Sequence, residues 1–314
     1  MKMNFSQAPL VSVIMNCLNG ERYLREAIDS VYSQTYSNWE IVFWDNASTD
    51  SSAEIVASYG DRIRYFCGDK TVPLGEARNK ALKEAQGSII AFLDCDDIWL
   101  PKKLEMQVPL FQDSAIGLVY SNALYFTNQG REKKLYKKGI LPAQGYCFPL
   151  LLQSYFLCLP TVMISRSVLE TTSVWFDPRF NMISDADLFL RIAYRYKLAG
   201  ISKILVWYRM HEESLSWKNP DLFIGETQLM LKSYKESFLD FEKKYRSEIR
   251  KLNVRLVWGS ALTLLSYKRF LEARLILASI NKWNLRILIL YFLSYMPVEF
   301  VSTFIKRMRV QPVN

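Results

Sequence analysis

The chain has 314 residues, of which 50% are hydrophobic and 14% aromatic, enough for one large domain with an appendage or for two domains, and too apolar for disorder. Its five cysteines (Cys17, Cys67, Cys95, Cys147, Cys158) are odd in number and lack CxxC spacing, which argues against a disulfide framework or a structural zinc site and for a reducing compartment. The net charge of +9 is uneven: residues 1–217 carry 23 basic and 23 acidic side chains, residues 218–314 carry 17 and 8. Such a basic tail either meets an anionic surface, membrane phospholipid or nucleic acid, or presents a solvated helical face. Met1–Pro9 is polar and Val11–Met15 is too short for an h-region, so no signal peptide is expected.

Over the first 120 residues strand-like and helix-like segments alternate. Val11–Met15 is a short apolar strand, and Glu21–Gln34 places Tyr23, Leu24, Ala27, Ile28, Val31 and Tyr32 at helical spacing. Glu40–Trp44 is a second strand, and Ser51 with Glu54 offers a capping box for a second helix. Arg62–Phe66 and Ser88–Leu93 are further strands around a helix at Glu76–Ala85, and Pro101 suits the first position of the next helix. This order predicts an α/β fold, a mostly parallel sheet with helices on both faces. Ligands of such sheets bind beyond the carboxyl ends of the strands. Asn16–Gly20, Asp45–Asp50 and Asp94–Asp97 would therefore meet on one rim.

The run Asp94-Cys95-Asp96-Asp97 follows a buried strand, and no Lys or Arg lies between Lys83 and Lys102. Like charges at the edge of a core require neutralisation. A solvated acidic turn is one solution; a hard divalent cation shared with substrate phosphates is another.

From residue 121 to 217 the pattern is less regular. Arg131–Lys138 reads as a basic loop, Phe148–Phe156 as an apolar helix, Ser184–Tyr196 as a helix and Ile201–Tyr208 as a strand. Beyond Trp217 the chain is helical: Phe223–Lys251 is a long amphipathic pattern, followed by Asn253–Ile280 and Asn284–Phe304. Ile287–Val298 is 12 uncharged residues, short of the ~20 that span a bilayer, and with Lys306, Arg307 and Arg309 nearby it reads as a buried or interfacial helix.

Together, Val11–Ile14, Asn19, Trp44–Asp50, Ala77-Arg78-Asn79, Phe92–Asp97, Ser184–Arg191 and Tyr208-Arg209-Met210-His211 resemble, in order, the motifs of the family 2 glycosyltransferases, which have the GT-A fold. The match runs over residues 11–216. It implies a GT-A domain at residues 1–217, with nucleotide-sugar binding in 1–120 and acceptor binding in 121–217, followed by a basic helical extension at 218–314. The activity implied is metal-dependent, inverting transfer from a nucleotide sugar, UDP-linked by family habit, to a glycan or lipid-linked glycan in cell-surface polysaccharide synthesis.

The resemblance also assigns roles. Asp45 corresponds to the aspartate that accepts from the uracil imide, although an Asx-turn is an alternative use. Asp94 and Asp96 correspond to the outer residues of a DxD signature, Asp96 on Mn²⁺ or Mg²⁺ and Asp94 near the ribose or metal. Asp97 is expected to be structural. Asn19 belongs to the nucleotide-binding loop, and Arg78 either neutralises the diphosphate or forms an internal salt bridge. Asp185 corresponds to the general base, whereas Asp187 should cap or pair. Ser184 stands where the family usually has an acid. His211, the only histidine of the chain, corresponds to a further metal ligand. Asn16-Cys17-Leu18-Asn19 and Asp45-Asn46-Ala47-Ser48 depart from the commoner Pro-Thr-Tyr-Asn and Asp-Asp-Gly-Ser.

Two other classes fit less well. A nucleotidyltransferase would need a Gly-rich, basic loop after the first strand, and Asn16–Gly20 has one Gly and no cation. A non-catalytic membrane scaffold would not need Asp96, Asp185 and His211 together. The implied location is cytoplasmic, peripheral on the inner membrane face, with no nucleic-acid partner. Phe148–Phe156, Trp175 and Trp207 either line an acceptor cleft or belong to the core.

Overall fold

The computed structural model describes residues 8–127, 130, 132–135, 142–172, 175–211, 220–278, 285–297 and 300–301. They form two compact units, Met1–Phe148 with Leu157–Glu213, and Pro149–Phe156 with Ser214–Asn314. The first unit begins with β1 (Val11–Cys17), α1 (Glu21–Tyr32), β2 (Trp39–Asp45), α2 (Ser52–Ala57), β3 (Ile63–Cys67), α3 (Leu74–Glu84) and β4 (Ile89–Phe92). The chain continues through β5 (Ile98–Trp99), α4 (Lys103–Gln107), a 3-10 turn (Val108–Gln112), β6 (Ile116–Phe126), β7 (Glu132–Lys134), α5 (Phe148–Gln153), β8 (Met163–Ser165), α6 (Arg166–Glu170), α7 (Ser184–Arg195) and β9 (Lys197–Arg209).

The strands lie in the order β3-β2-β1-β4-β8-β6-β9-β5, with β7 on β6. The first four are parallel, as is the β6–β9 pair, while β8 runs antiparallel to β4 and β6. The α/β class is as expected. The far half differs, because β6 lies in a stretch without visible alternation. Seven consecutive residues of β6, Gly117–Ala123, are buried, and a strand covered on both faces has no reason to alternate.

Helix α1 packs on the sheet through Leu24, Ala27, Ile28 and Val31, all fully buried with Val13, Met15, Ile41 and Phe43. Their i, i+3, i+4, i+7 spacing makes one apolar stripe, and each large side chain so buried contributes roughly 1.5–3 kcal/mol. Two local expectations fail. Ser51 makes no side-chain cap; instead the Ser51 N–H donates to Glu21 Oε2 at 3.0 Å and the Ser52 N–H to Asp50 Oδ1 at 3.1 Å. Asp50 Oδ2 accepts the Glu21 N–H at 2.9 Å, so adjacent carboxylates cap α1 and α2 reciprocally. Pro101 lies two residues before α4, in a turn whose carbonyl accepts the Thr35 N–H at 2.9 Å. Within Arg131–Lys138, expected as loop, β7 is a short strand; residues 131 and 136–138 lie outside the described residues.

The second unit contains α8 (Pro220–Ser237), α9 (Phe241–Lys244), α10 (Arg246–Ser266), α11 (Phe270–Ala278) and α12 (Leu285–Leu293). Its apolar core gathers Ala261, Leu264, Ala273, Leu277, Ile287 and Leu290. The long pattern at Phe223–Lys251 is broken at Asp240, whose φ of 53° is left-handed. Tilted and edge-to-face rings of Tyr234, Phe238, Phe241 and Tyr245, with centroids 5.0–5.9 Å apart, hold that corner. No helix among the described residues is long and apolar enough to cross a membrane. Trp217, Lys306, Arg307 and Arg309 lie outside the described residues.

Candidate active site

The register puts Cys17, Asp45 and Cys67 level at the ends of β1, β2 and β3, and Ile14 beside Phe92, so Asp94 lies just past the end of β4. Asp45 is buried; its Oδ1 accepts the Ser48 N–H at 2.7 Å and its Oδ2 the Tyr65 hydroxyl at 2.9 Å. The Ser48 bond reaches the third residue on, not the second as in the expected Asx-turn, and each oxygen keeps a second lone pair. Asn19, at φ 55°, donates its N–H to Ser48 Oγ at 3.0 Å and accepts the Thr49 N–H at 2.8 Å. Asn19 and Asp45 thus lock the β1–α1 and β2–α2 loops together. Sequence reasoning missed two buried donors here, Asn16 Nδ2 and Trp44 Nε1, which lack an acceptor among the described residues. Left unfilled, each costs roughly 1–3 kcal/mol.

The three carboxylates of the acidic run have three different partners. Asp94 pairs with the buried Arg78 of α3 at 3.0 Å. Asp96 Oδ2 lies 2.8 Å from His211 Nε2. Asp97 is fully buried; its Oδ1 accepts the Arg209 N–H at 2.8 Å, while Oδ2 has no partner among the described residues. Burial pushes the Asp97 carboxyl well up, and the Asp96 and Asp94 charges add to this. Burial, followed by the Asp94 charge, also raises Asp96, and the His211 contact opposes this. The Arg209 guanidinium, another residue whose role was not legible, donates to the Asp96 carbonyl at 2.9 Å and Glu26 at 2.7 Å. It lies 4.2 Å from the Tyr23 ring centroid, which also flanks His211.

Helix α3 links the acidic run to α7. While Arg78 grips Asp94, Asn79 binds the Phe176 backbone twice, Nδ2 to the carbonyl at 2.7 Å and Oδ1 from the N–H at 2.9 Å. That clamp fixes the segment leading into α7, whose Phe189 packs on Phe92 of β4 at 6.2 Å between ring centroids. Asp185 stands one turn before Phe189 on the same face, so α7 carries it towards the end of β4. The charges of Asp97, Asp185 and Asp94 all reach the Cys158 thiol, which burial chiefly pushes up. Asp187 is turned away and pairs with Arg191 at 2.8 Å. Replacing Asn79 with Ala is expected to cost about 1–3 kcal/mol in denaturant unfolding and to lower kcat more than donor affinity.

A divalent cation fits this chemistry. Among the described residues no three His, Cys, Asp or Glu form a complete cage. Asp96 and His211 do present one oxygen and one nitrogen side by side. Two protein donors leave room for phosphate oxygens and water, as Mg²⁺ sites commonly do. The acidic run is also tightly seated. A Cβ on Gly20 would lie 2.6 Å from Cys17 Sγ and 2.9 Å from Cys95 Sγ, the residue between Asp94 and Asp96. Gly20→Ala should therefore lower stability by about 1–3 kcal/mol and weaken nucleotide-sugar binding assayed with Mn²⁺ present, read by thermal unfolding and titration calorimetry.

The family model described as Glycosyl transferase family 2 matches residues 12–172. The Escherichia coli UDP-Glc:alpha-D-GlcNAc-diphosphoundecaprenol beta-1,3-glucosyltransferase WfgD is 33% identical over 210 residues, covering 66% of this chain and 79% of that protein. Among solved structures, S. aureus TarS 1-349 in complex with UDP-GlcNAc superposes with a TM-score of 0.62 at 18% identity, over 96% of this chain and 87% of that one. The mannosyltransferase PcManGT from Pyrobaculum calidifontis, in complex with GDP-Man and Mn2+, gives 0.61 at 16% identity, over 96% and 85%. Fold and sequence agree: the chain belongs to glycosyltransferase family 2 and is a glycosyltransferase with the GT-A fold.

Proposed function

We propose that this enzyme transfers a sugar from a UDP-sugar, with inversion, to a hydroxyl of a glycan carried on a lipid diphosphate. The observation that carries the reading is the convergence at one rim of Asp45, the Arg78–Asp94 pair, the Asp96–His211 pair and the face of α7 bearing Asp185. Asp45 receives the base, and Arg78 with Asp94 borders the ribose and diphosphate. Asp96 and His211 hold Mn²⁺ or Mg²⁺, whose chemistry is to offset charge developing on the leaving diphosphate. Asp185 takes the proton of the attacking hydroxyl. The UDP donor and lipid-diphosphate acceptor are supported by the name of WfgD, and the metal by the Mn2+ bound to PcManGT.

On this reading residues 1–217 are the catalytic part. Residues 218–314, with their excess of cations, meet the anionic inner face of the membrane, which makes the enzyme cytoplasmic and peripheral. The test pairs a panel of UDP-, GDP- and dTDP-sugars with Mn²⁺ in calorimetry against transfer to a GlcNAc-diphospholipid acceptor. Tight binding of a UDP-sugar with transfer to the lipid-linked glycan is expected. Preference for another nucleotide, or transfer to free glycans alone, would refute the corresponding half.

A further inference from the structure

The second unit holds a cavity of about 650 Å³ that the transfer reaction above does not use. Two helix faces make it. On α8, Ile224, Gln228, Leu231, Lys232 and Lys235 recur at i, i+4, i+7, i+8 and i+11, and on α10, Arg246, Ile249, Arg250, Asn253 and Val257 recur at three- and four-residue steps. Polarity is sorted within it. Leu231, Leu256 and Val257 are buried and form the floor, while Lys232, Lys235, Arg246 and Arg250 are exposed at the mouth.

Among the described residues only Lys235 has an ionic partner there, Glu242 at 3.0 Å. Lys232, Arg246 and Arg250 have none among the described residues. Three unpaired cations around an apolar slot are a poor site for a free anion, which would leave the floor wetted. They are equally poor for a neutral hydrocarbon, which would leave the cations unused. The same helix also leaves Leu222, Phe223 and Leu229 more than a third exposed, so the apolar surface extends outside the slot. The volume lies in the range of pockets for drug-sized ligands. It has room for a headgroup and the first isoprene units of a longer chain.

We propose that this cavity binds a polyprenyl diphosphate, with its diphosphate between Arg246, Arg250 and Lys232 and its first isoprenes on Leu231 and Val257. The inference rests on the lipid-linked acceptor proposed above. Arg suits such a headgroup because its planar fork can donate two hydrogen bonds to one phosphate.

The experiment is calorimetric titration of the full chain with farnesyl diphosphate, in EDTA so that no divalent metal recruits the probe to the Asp96 region. Wild type should bind with 1:1 stoichiometry. Arg246→Ala/Arg250→Ala should bind more weakly by roughly tenfold or more, and Arg246→Lys/Arg250→Lys should recover part of the loss. Inorganic diphosphate should bind more weakly than farnesyl diphosphate by more than about tenfold, because it cannot use the floor. UDP binding with Mn²⁺ and the circular-dichroism spectrum should be unchanged, which excludes misfolding of the variants. Absence of binding by wild type, equal binding by the double alanine variant, or inorganic diphosphate binding as tightly would each overturn the proposal. Transfer to a lipid-linked acceptor, measured on the same preparations, separates the two readings. Transfer without farnesyl diphosphate binding rejects only the cavity, and binding without transfer to any diphospholipid upholds the cavity while rejecting the acceptor.

Discussion

Asp96→Asn is expected to lower kcat/KM at least a hundredfold, about the several kcal/mol a cation supplies to a leaving diphosphate. Asn keeps one oxygen and the size of the side chain, so it can still meet His211, but it removes the negative charge. Neither neighbour replaces it: Asp94 is held by Arg78 at 3.0 Å, and Asp97 is buried against the Arg209 backbone. The variant should therefore bind UDP with an affinity that no longer responds to Mn²⁺, whereas wild-type affinity should rise with it. Asp97→Asn provides the contrast. It leaves an acceptor for the Arg209 N–H but buries two amide hydrogens where Oδ2 already lacks a partner. Its cost belongs in stability, about 1–3 kcal/mol by denaturant, with metal response retained. If Asp96→Asn kept the wild-type Mn²⁺ titration, the cation would have to sit elsewhere.

The acidic run shows where reading the sequence stops. Its strand, its place on the rim and the neighbouring loops were legible because strand–helix alternation is a local pattern repeated along the chain. Its neutralisation was legible only in part: an internal salt bridge was one alternative for Arg78, but its pairing with Asp94 was not. Local inspection finds no cation near Asp94–Asp97, yet Arg78 arrives from α3 and the Arg209 guanidinium comes to lie against the Asp96 carbonyl from β9. Single long-range contacts leave no periodicity to detect. The same holds for the Asn79 clamp on Phe176 and for Tyr65 on Asp45, where only the finished sheet and its helices bring the partners together. The missed capping of α2 has a related cause. Ser51 satisfies the local rule for a capping box, but Glu21, from a loop brought alongside, takes the Ser51 N–H that Glu54 would have taken, and Asp50 takes the Ser52 N–H. Strand β6 was hidden for the opposite reason, since burial on both faces erases the period-two signal.

Asp185→Asn separates chemistry from binding. Asp185 lies in the first turn of α7, where the helix dipole favours a carboxylate, and Asn is accommodated there without a change of shape. An amide cannot accept the hydroxyl proton, so kcat should fall by about 10²–10⁴. UDP affinity and its Mn²⁺ dependence should stay at wild-type values, because Asp185 touches neither the base nor the diphosphate in the proposed arrangement. Asp187→Asn, two residues on, should do the reverse. It breaks the pair with Arg191, which also donates to the Trp175 carbonyl at 2.5 Å, and so should lower the unfolding midpoint and leave the chemical step largely intact. A wild-type kcat for Asp185→Asn would move the base to another residue, whereas a loss of UDP binding along with kcat would mean that Asp185 shapes the donor site rather than the attack.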